Sequence, residues 1–415
     1  MTEAPPRPAT VRPAGPLRPS QAMGRGRVRR ARLAVSSIFF QQGLLVGGWA
    51  LHIPFVLDRL GITETVMGLV IVAFGTGSIL AMLAIGPILT HRGSRGVVRF
   101  VSVAVSPSLL VLAVTPDVWT TGVAAFFVGA VIGCTDVSMN AQGLEVEHRR
   151  GRPIMSSLHA WWSVGTLTGA AISGGLIALL GPVGHAALFS AACLAIAVAA
   201  WPHLVRERRT AAEASVPFSF PRAPVVWLLG LVTLFAFVPE GAVIDWSALM
   251  MREEVGVPIA AAGLGLAGLQ VTMTTMRFLG DAIRARIGAV ATLRWGGLLA
   301  AIGLGIVWLG AAELTAGLPV APRAGITVLG FAVMGIGLAN IVPVAFAAAG
   351  EVPGVPSGPA LSIIATSGYA GILFAPSALG WIGEHASFAT VFGALAMLPL
   401  VTAAVARVGD PGRFS

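Results

Sequence analysis

The sequence predicts an all-α membrane protein of about twelve transmembrane helices in two bundles of about six, with both termini in the cytoplasm. Three observations carry this expectation. Hydrophobic residues make up 56% of the 415-residue chain and charged residues 11%, with a mean hydropathy of +0.85, far outside the range of soluble globular proteins. Apolar runs long enough to cross a bilayer recur along the chain. The arginines gather in every second turn between those runs.

Taken in order, residues 1–32 form a tail rich in Pro, Ala and Arg without apolar periodicity, expected to be disordered. It does not read as a secretory signal, because the first apolar run starts only at Leu33 and continues too long without a cleavage-like end. The first bundle is expected over 33–203, with spans near 33–57, 65–90, 97–115, 118–143, 153–180 and 183–203. Residues 204–222 are a charged, Pro-punctuated cytoplasmic linker. The second bundle is expected over 223–408, with spans near 224–250, 259–283, 289–311, 324–349, 359–382 and 385–406, before a short tail over 409–415. The turns placed in the cytoplasm hold Arg92 and Arg95, then Arg149, Arg150 and Arg152, then Arg206, Arg208 and Arg209, then Arg284 and Arg286. The opposite turns hold Arg59, Arg252 and Arg323, which is the positive-inside asymmetry.

The halves echo each other. Trp49 precedes Gly68 by the interval that separates Trp246 from Gly265, and Pro153 precedes Gly165 by that between Pro359 and Gly371. Such matches suggest duplicated bundles with a site between them. The stretch from Gly133 to Gly165 joins the fourth and fifth spans. A bend between Glu147 and His148 places Asp136 and His159 equally far from the turn, hence at about the same depth.

Enzyme chemistry finds no support in the sequence. No Gly-rich loop precedes a Lys-Ser/Thr pair, no two histidines stand at metal spacing, and Ser163 beside His159 lacks a nucleophile-elbow context. Cys134 and Cys193 both fall in apolar runs and offer neither a disulfide framework nor a thiolate metal site. No metal and no cofactor are expected. The net charge of +9 marks topology, not nucleic acid.

What remains are polar residues inside apolar spans, each of which needs a partner or a purpose. At about 100° per residue, Gln41, Gln42, Trp49 and His52 form one stripe on the first span, while Asp136 and Asn140 share a face of the fourth. On the fifth span Ser156, His159, Ser163 and Thr166 share a face with Trp162 at its edge. The seventh carries Glu240 and, near its outer end, Asp245 and Trp246. Gln270, Thr274 and Arg277 align on the eighth, Ser362, Thr366 and Tyr369 on the eleventh, and Asn340 lies on the tenth. Amides, hydroxyls and indoles around a midplane cavity suit a small polyhydroxylated solute, and a buried acid whose charge changes with protonation can favour one conformation over another.

Structural alternatives stand beside these roles. Asp136 is a coupling acid or a structural acid satisfied by His159 or by neighbouring amides, and the cost of an ionisable group within a span favours the first. His159 is a proton-coupling or a packing residue, Glu240 a coupling acid or the cap of a break after Pro239, and Asp245 a solute contact or a water-facing residue. Trp49 and His52 also suit the interfacial layer.

The turn Gly86-Pro-Ile-Leu-Thr-His-Arg-Gly-Ser-Arg95 resembles the loop signature of the major facilitator superfamily, with Gly86, Gly93 and Arg95 matching and Thr90 and His91 departing from it. A second copy, Arg277-Phe-Leu-Gly280-Asp281 with Arg286 and Gly288, keeps the signature's acid. The strings DVSMNAQ, GRPIMSSLHAWWSVG and EGAVIDWSALMMR are similar to a sugar-transporter-like branch near the fucose permeases. The resemblance implies the major facilitator fold and a monomeric, multi-pass secondary transporter of a bacterial cytoplasmic membrane. Its partners would be a small sugar-like solute, a proton and the lipid bilayer, with a functional acid at Asp136.

On this reading Asp136, His159 and Glu240 couple protons. Gln41, Gln42, Trp49, His52, Asn140, Trp162, Ser163, Asp245, Trp246, Gln270, Asn340 and Thr366 surround the solute. Arg92 and Arg95, with Arg277 and Asp281 as a latch, gate the cavity. Two other functions stay open. One is a proton-antiport exporter of a drug-like metabolite, against which the absence of a proline in Gly165-Thr-Leu-Thr-Gly169-Ala170 counts. The other is a transporter-like sensor that binds without flux.

Overall fold

The computed structural model describes residues 24–50, 52–62, 64–206, 221–258, 261 and 263–414. Most of the tail and residues 207–220 of the linker therefore lie outside the described residues. Residues 25–32, expected to be disordered, instead form the first turns of a helix.

Among the described residues every regular element is helical. The first half comprises α1 (Arg25–Ala50), α2 (Ile53–Leu60), α3 (Glu64–Arg92), α4 (Ser94–Val105), α5 (Ser108–Val114), α6 (Val118–Arg150) and α7 (Met155–Ala200). The second comprises α8 (Pro224–Met250), which runs into a single π turn over Met251–Val255, then α9 (Leu264–Ala311), α10 (Val320–Leu338), α11 (Ile341–Ala349), α12 (Ser357–His385), α13 (Phe388–Leu395) and α14 (Met397–Ala404).

Seven described helical stretches are long and apolar enough to cross a membrane. Two of them are long enough for more than one crossing. Helix α7 has 46 residues and α9 has 48, about 70 Å each at 1.5 Å per residue, more than twice the hydrocarbon thickness. Each is broken by a glycine, Gly181 (φ 71°, ψ 166°) and Gly288 (φ 80°, ψ 167°). Gly93, the glycine of the first signature loop, has nearly the same geometry (φ 76°, ψ 157°), a region only glycine occupies without strain. The two copies of the signature thus make the same backbone turn. Shorter interruptions fall at Pro107, between α4 and α5, where an amide hydrogen is missing, and at Asn340, between α10 and α11.

Close helix contacts also repeat. Helix α7 lies on α1, and a Cβ on Gly165 would collide with the Phe40 carbonyl. In the second half α12 lies on α8, with Gly371 against Leu234 and Val238. Small residues at these crossings let backbones approach where lipid supplies no hydrophobic drive. The halves meet where α3 packs on α12 and α7 on α9. The larger buried core is continuous across them, joining Phe39, Met155 and Leu158 to Leu229 and Phe346.

The bend expected between Glu147 and His148 lies further on. Helix α6 continues to Arg150 and ends in left-handed Gly151 (φ 65°), and α7 starts at Met155. Asp136 is therefore further from the turn than His159. The His159 Nε2 lies 3.2 Å from Asn140 Oδ1, which sets the histidine level with Asn140, one helical turn below Asp136. The two share a region of the structure but not a depth.

Candidate functional site

A cavity of about 320 Å³ opens between the halves. Its first-half wall includes Trp49 from α1, Asp136 from α6, and His159 and Trp162 from α7. Its second-half wall includes Glu240 and Asp245 from α8, Arg277 from α9 and Tyr369 from α12. Between these stand many apolar side chains, among them Phe74, Met139, Phe237 and Phe346.

Arg277 ties the cavity together. It is buried, its Nη2 lies 3.8 Å from Glu240 Oε1, and its Nη1 donates to Ser163 Oγ at 2.6 Å. Its Nε reaches the Ala339 carbonyl at 3.4 Å, left without a helical partner where α10 stops short of Asn340. One guanidinium thus joins α7 of the first half to α8 and α9 of the second. Asp136, by contrast, is buried in the cavity wall, and its carboxylate has no hydrogen bond or ion pair among the described residues. Asn140 links Asp136 to His159 indirectly, donating from Nδ2 to the Asp136 carbonyl at 2.9 Å. Asp245 is exposed on the cavity lining.

Several residues expected around a solute serve the scaffold. Gln41 donates to the Ser102 carbonyl at 2.7 Å and to Ser106 Oγ at 3.1 Å, and Gln42 to the Ile132 carbonyl at 3.3 Å. They belong to one stripe but bond two different neighbouring helices. His52 shares a 2.8 Å hydrogen bond with His185, and Trp246 stacks on Phe388 with ring centroids 5.3 Å apart. Asn340 donates to the Met276 carbonyl at 3.2 Å. Gln270 and Thr366 are half-buried and do not line the cavity. Ser163 does not line it but bonds two residues that do, accepting from Arg277 and donating to the His159 carbonyl at 3.2 Å.

The gating group also separates. Arg92 is exposed in the last turn of α3, and Arg95 sits half-buried at the arginine-rich face. Arg277 and Asp281 form no described bond with each other. Asp281 instead accepts from the Ser156 and Ser157 amides at 2.9 and 3.1 Å, across the gap between halves. Beside it Glu147 accepts from the Ile154 and Met155 amides at 2.7 and 3.0 Å, while its other oxygen pairs with Arg284 at 2.8 Å. Two carboxylates, one from each half, thus satisfy four amides at the start of α7, where the helix dipole favours negative charge.

Glu147 and Tyr369 were missing from the expected site. An acid in the last turn of α6 opposes that helix's own dipole, a signal that it serves another element. Tyr369 could be found from the face it shares with Thr366.

A family profile described as the Major Facilitator Superfamily matches residues 33–312. An uncharacterized MFS-type transporter of Yersinia pestis is 34% identical over 375 residues, covering 89% of this chain and 93% of its own. The uncharacterized transporter y4wD of Sinorhizobium fredii is 30% identical over 378 residues, covering 90% and 97%. Among solved structures, FucP in the outward conformation superposes with a TM-score of 0.73 at 14% identity, over 91% of this chain and 98% of that one. The proton:xylose symporter XylE superposes with a TM-score of 0.69 at 12% identity, over 91% and 95%. With a cavity held between two helical halves, and relatives matching along nearly its whole length, the chain belongs to the major facilitator superfamily of membrane transporters.

Proposed function

We propose that this protein is a proton-coupled secondary transporter of a small polar, sugar-like solute, working by alternating access across a bacterial cytoplasmic membrane. The observation that carries the reading is Asp136: a buried carboxylate with no ion pair among the described residues, in the wall of a cavity between two halves. Protonation removes a charge that is costly to bury, so the two protonation states favour different arrangements of the halves. Trp49, Trp162 and Tyr369 offer ring faces to an apolar side of a solute. The solved neighbours include proton symporters of fucose and of xylose.

On this reading the glycine breaks divide the chain into twelve spans. The first six occupy 33–203 and the second six 223–408, with both termini in the cytoplasm and the monomer as the working unit. The arginine-rich face, sealed by Asp281, Glu147 and Arg284, is cytoplasmic, and the cavity faces outward. His159 and Glu240 modulate the proton site, through Asn140 and Arg277 respectively.

The test is uptake into reconstituted vesicles under an imposed pH gradient, across a panel of monosaccharides and polar metabolites. Saturable accumulation that collapses with the gradient is expected. Asp136→Asn is expected to lower accumulation at least about tenfold while leaving solute exchange across the vesicle membrane intact. Full accumulation in that variant removes Asp136 from coupling.

The apolar share of the lining, including Phe74, Phe237 and Phe346, favours a second reading, a proton-antiport exporter of an amphipathic metabolite. Gradient-driven movement of apolar natural products, with none of sugars, would select it.

A further inference from the structure

Two recesses adjoin on the first half, away from the central cavity. One is an apolar groove of about 580 Å³, lined by residues that include Leu33, Phe40, Trp161, Ile196 and Ala199. It lies on the outer surface, where Leu33 is 56% exposed and Trp161 38%. The other, of about 380 Å³, brings together Arg27 and Arg30 of α1, Arg95 of α4, Arg149 of α6, and His203 and Arg206 beyond α7. Arg30 and His203 line both, so the recesses are continuous.

We propose that this pair is a binding site for one anionic phospholipid, with its phosphate among the arginines and an acyl chain in the groove. The lining of the polar recess contains no carboxylate, although five guanidinium groups converge there. Arg149 is partly satisfied by Glu145 at 2.6 Å. The Arg95 Nε is buried with no hydrogen-bond partner among the described residues, a donor awaiting an acceptor. Planar guanidinium groups suit phosphate oxygens, and basic pockets between spans on the cytoplasmic side match anionic headgroups. A soluble anion would leave the groove empty, and a zwitterionic lipid would leave the arginines largely uncompensated. The site takes its ligand from the bilayer whatever solute the central cavity carries.

The experiment uses the full chain, purified in detergent and stripped of lipid. Thermal unfolding is followed against added phosphatidylglycerol, phosphatidylcholine of the same chains, or inorganic phosphate, and native mass spectrometry counts retained lipid. Phosphatidylglycerol is expected to raise the unfolding midpoint saturably, with one molecule retained per chain. Arg27→Gln with Arg30→Gln, both at exposed positions, is expected to weaken half-saturation at least tenfold. Ala199→Phe, which fills the exposed groove, is expected to do the same. An equal response to phosphatidylcholine overturns the proposal, and so does unchanged half-saturation in both variants. Inorganic phosphate reproducing the full effect assigns the arginines to a soluble anion instead.

Discussion

The two ends of the molecule are held by different kinds of bond. At the arginine-rich end the polar links run between halves, from Asp281 to the start of α7 and from Glu147 to Arg284. At the opposite end they stay within one half. Arg59 donates to the Ala113 and Leu112 carbonyls and to Thr115, all in the first half. Glu254 accepts from the Phe388 and Ala389 amides, and Arg323 donates to the Glu254 and Ala311 carbonyls, all in the second. Among the described residues each half is stapled to itself at the opposite end, and the first also at the arginine-rich one, but of the two ends only the arginine-rich one staples a half to its partner. Separating the halves at the arginine-rich end must therefore strip helix-start amides of their acceptors, while moving them at the other end breaks none of these bonds.

The deepest link should give the largest effect. Arg277→Met leaves Glu240 buried without its cation and removes the bond to Ser163, so a loss of about 3–5 kcal/mol in stability is expected. Adding Glu240→Gln to the same chain should restore a large part of it. Chemical or thermal unfolding of the wild type and the two variants measures this, and no rescue by the second substitution would show that the pair is not what matters.

Asp281→Ala acts at the arginine-rich end itself. Removing a carboxylate that caps two amides should weaken closure by about 1 kcal/mol, a shift of about fivefold toward the arrangement open on that side. Spin labels at His148 and Arg286 report that end, and labels at Leu60 and Leu314 the other. The first distance should lengthen and the second shorten. No change in either would make the Asp281 bonds incidental to access.

Arg59→Gln is the counterpart at the opposite end. It should lower unfolding stability by about 1–2 kcal/mol and leave both label distances as they are, because its partners all lie in its own half. A change in access would dissolve the contrast between the ends.

The smallest effect belongs to Asp117, an exposed helix cap just outside α6. The Thr120 amide, helped by that of Trp119, holds its carboxyl below the usual carboxylate range. A group with a depressed folded pKa contributes stability above its unfolded value and loses it as pH falls through the folded one. The midpoint difference between wild type and Asp117→Ala should thus be full at neutral pH, begin to shrink below about pH 4 and disappear only as pH falls through the lower folded value, as thermal unfolding across pH would read. A difference that persists into strong acid would exclude the cap as its origin.

The division into apolar runs was legible from hydropathy, because lipid leaves a helix few alternatives. Much of the charged lining was legible too: Asp136, His159, Glu240 and Asp245 are all in the cavity wall. The amides were not. Periodicity tells which residues share a face, not what that face meets, so Gln41 and Gln42 could not be told from cavity residues although each bonds a neighbouring helix. The role of Arg277 was hidden for the opposite reason. Its spacing to Asp281 suggested a local pair, whereas its partners come from three other stretches of chain.

The start of α7 has a consequence for how the protein is made. Two of its four leading amides find their acceptor in Glu147, which leaves the ribosome just ahead of them. The other two wait for Asp281, 125 and 124 positions later. During synthesis the first bundle enters the bilayer with one helix end unfinished, and what finishes it is the arrival of the second. The bonds that join the halves at the arginine-rich end are thus also ones that form only when both are present.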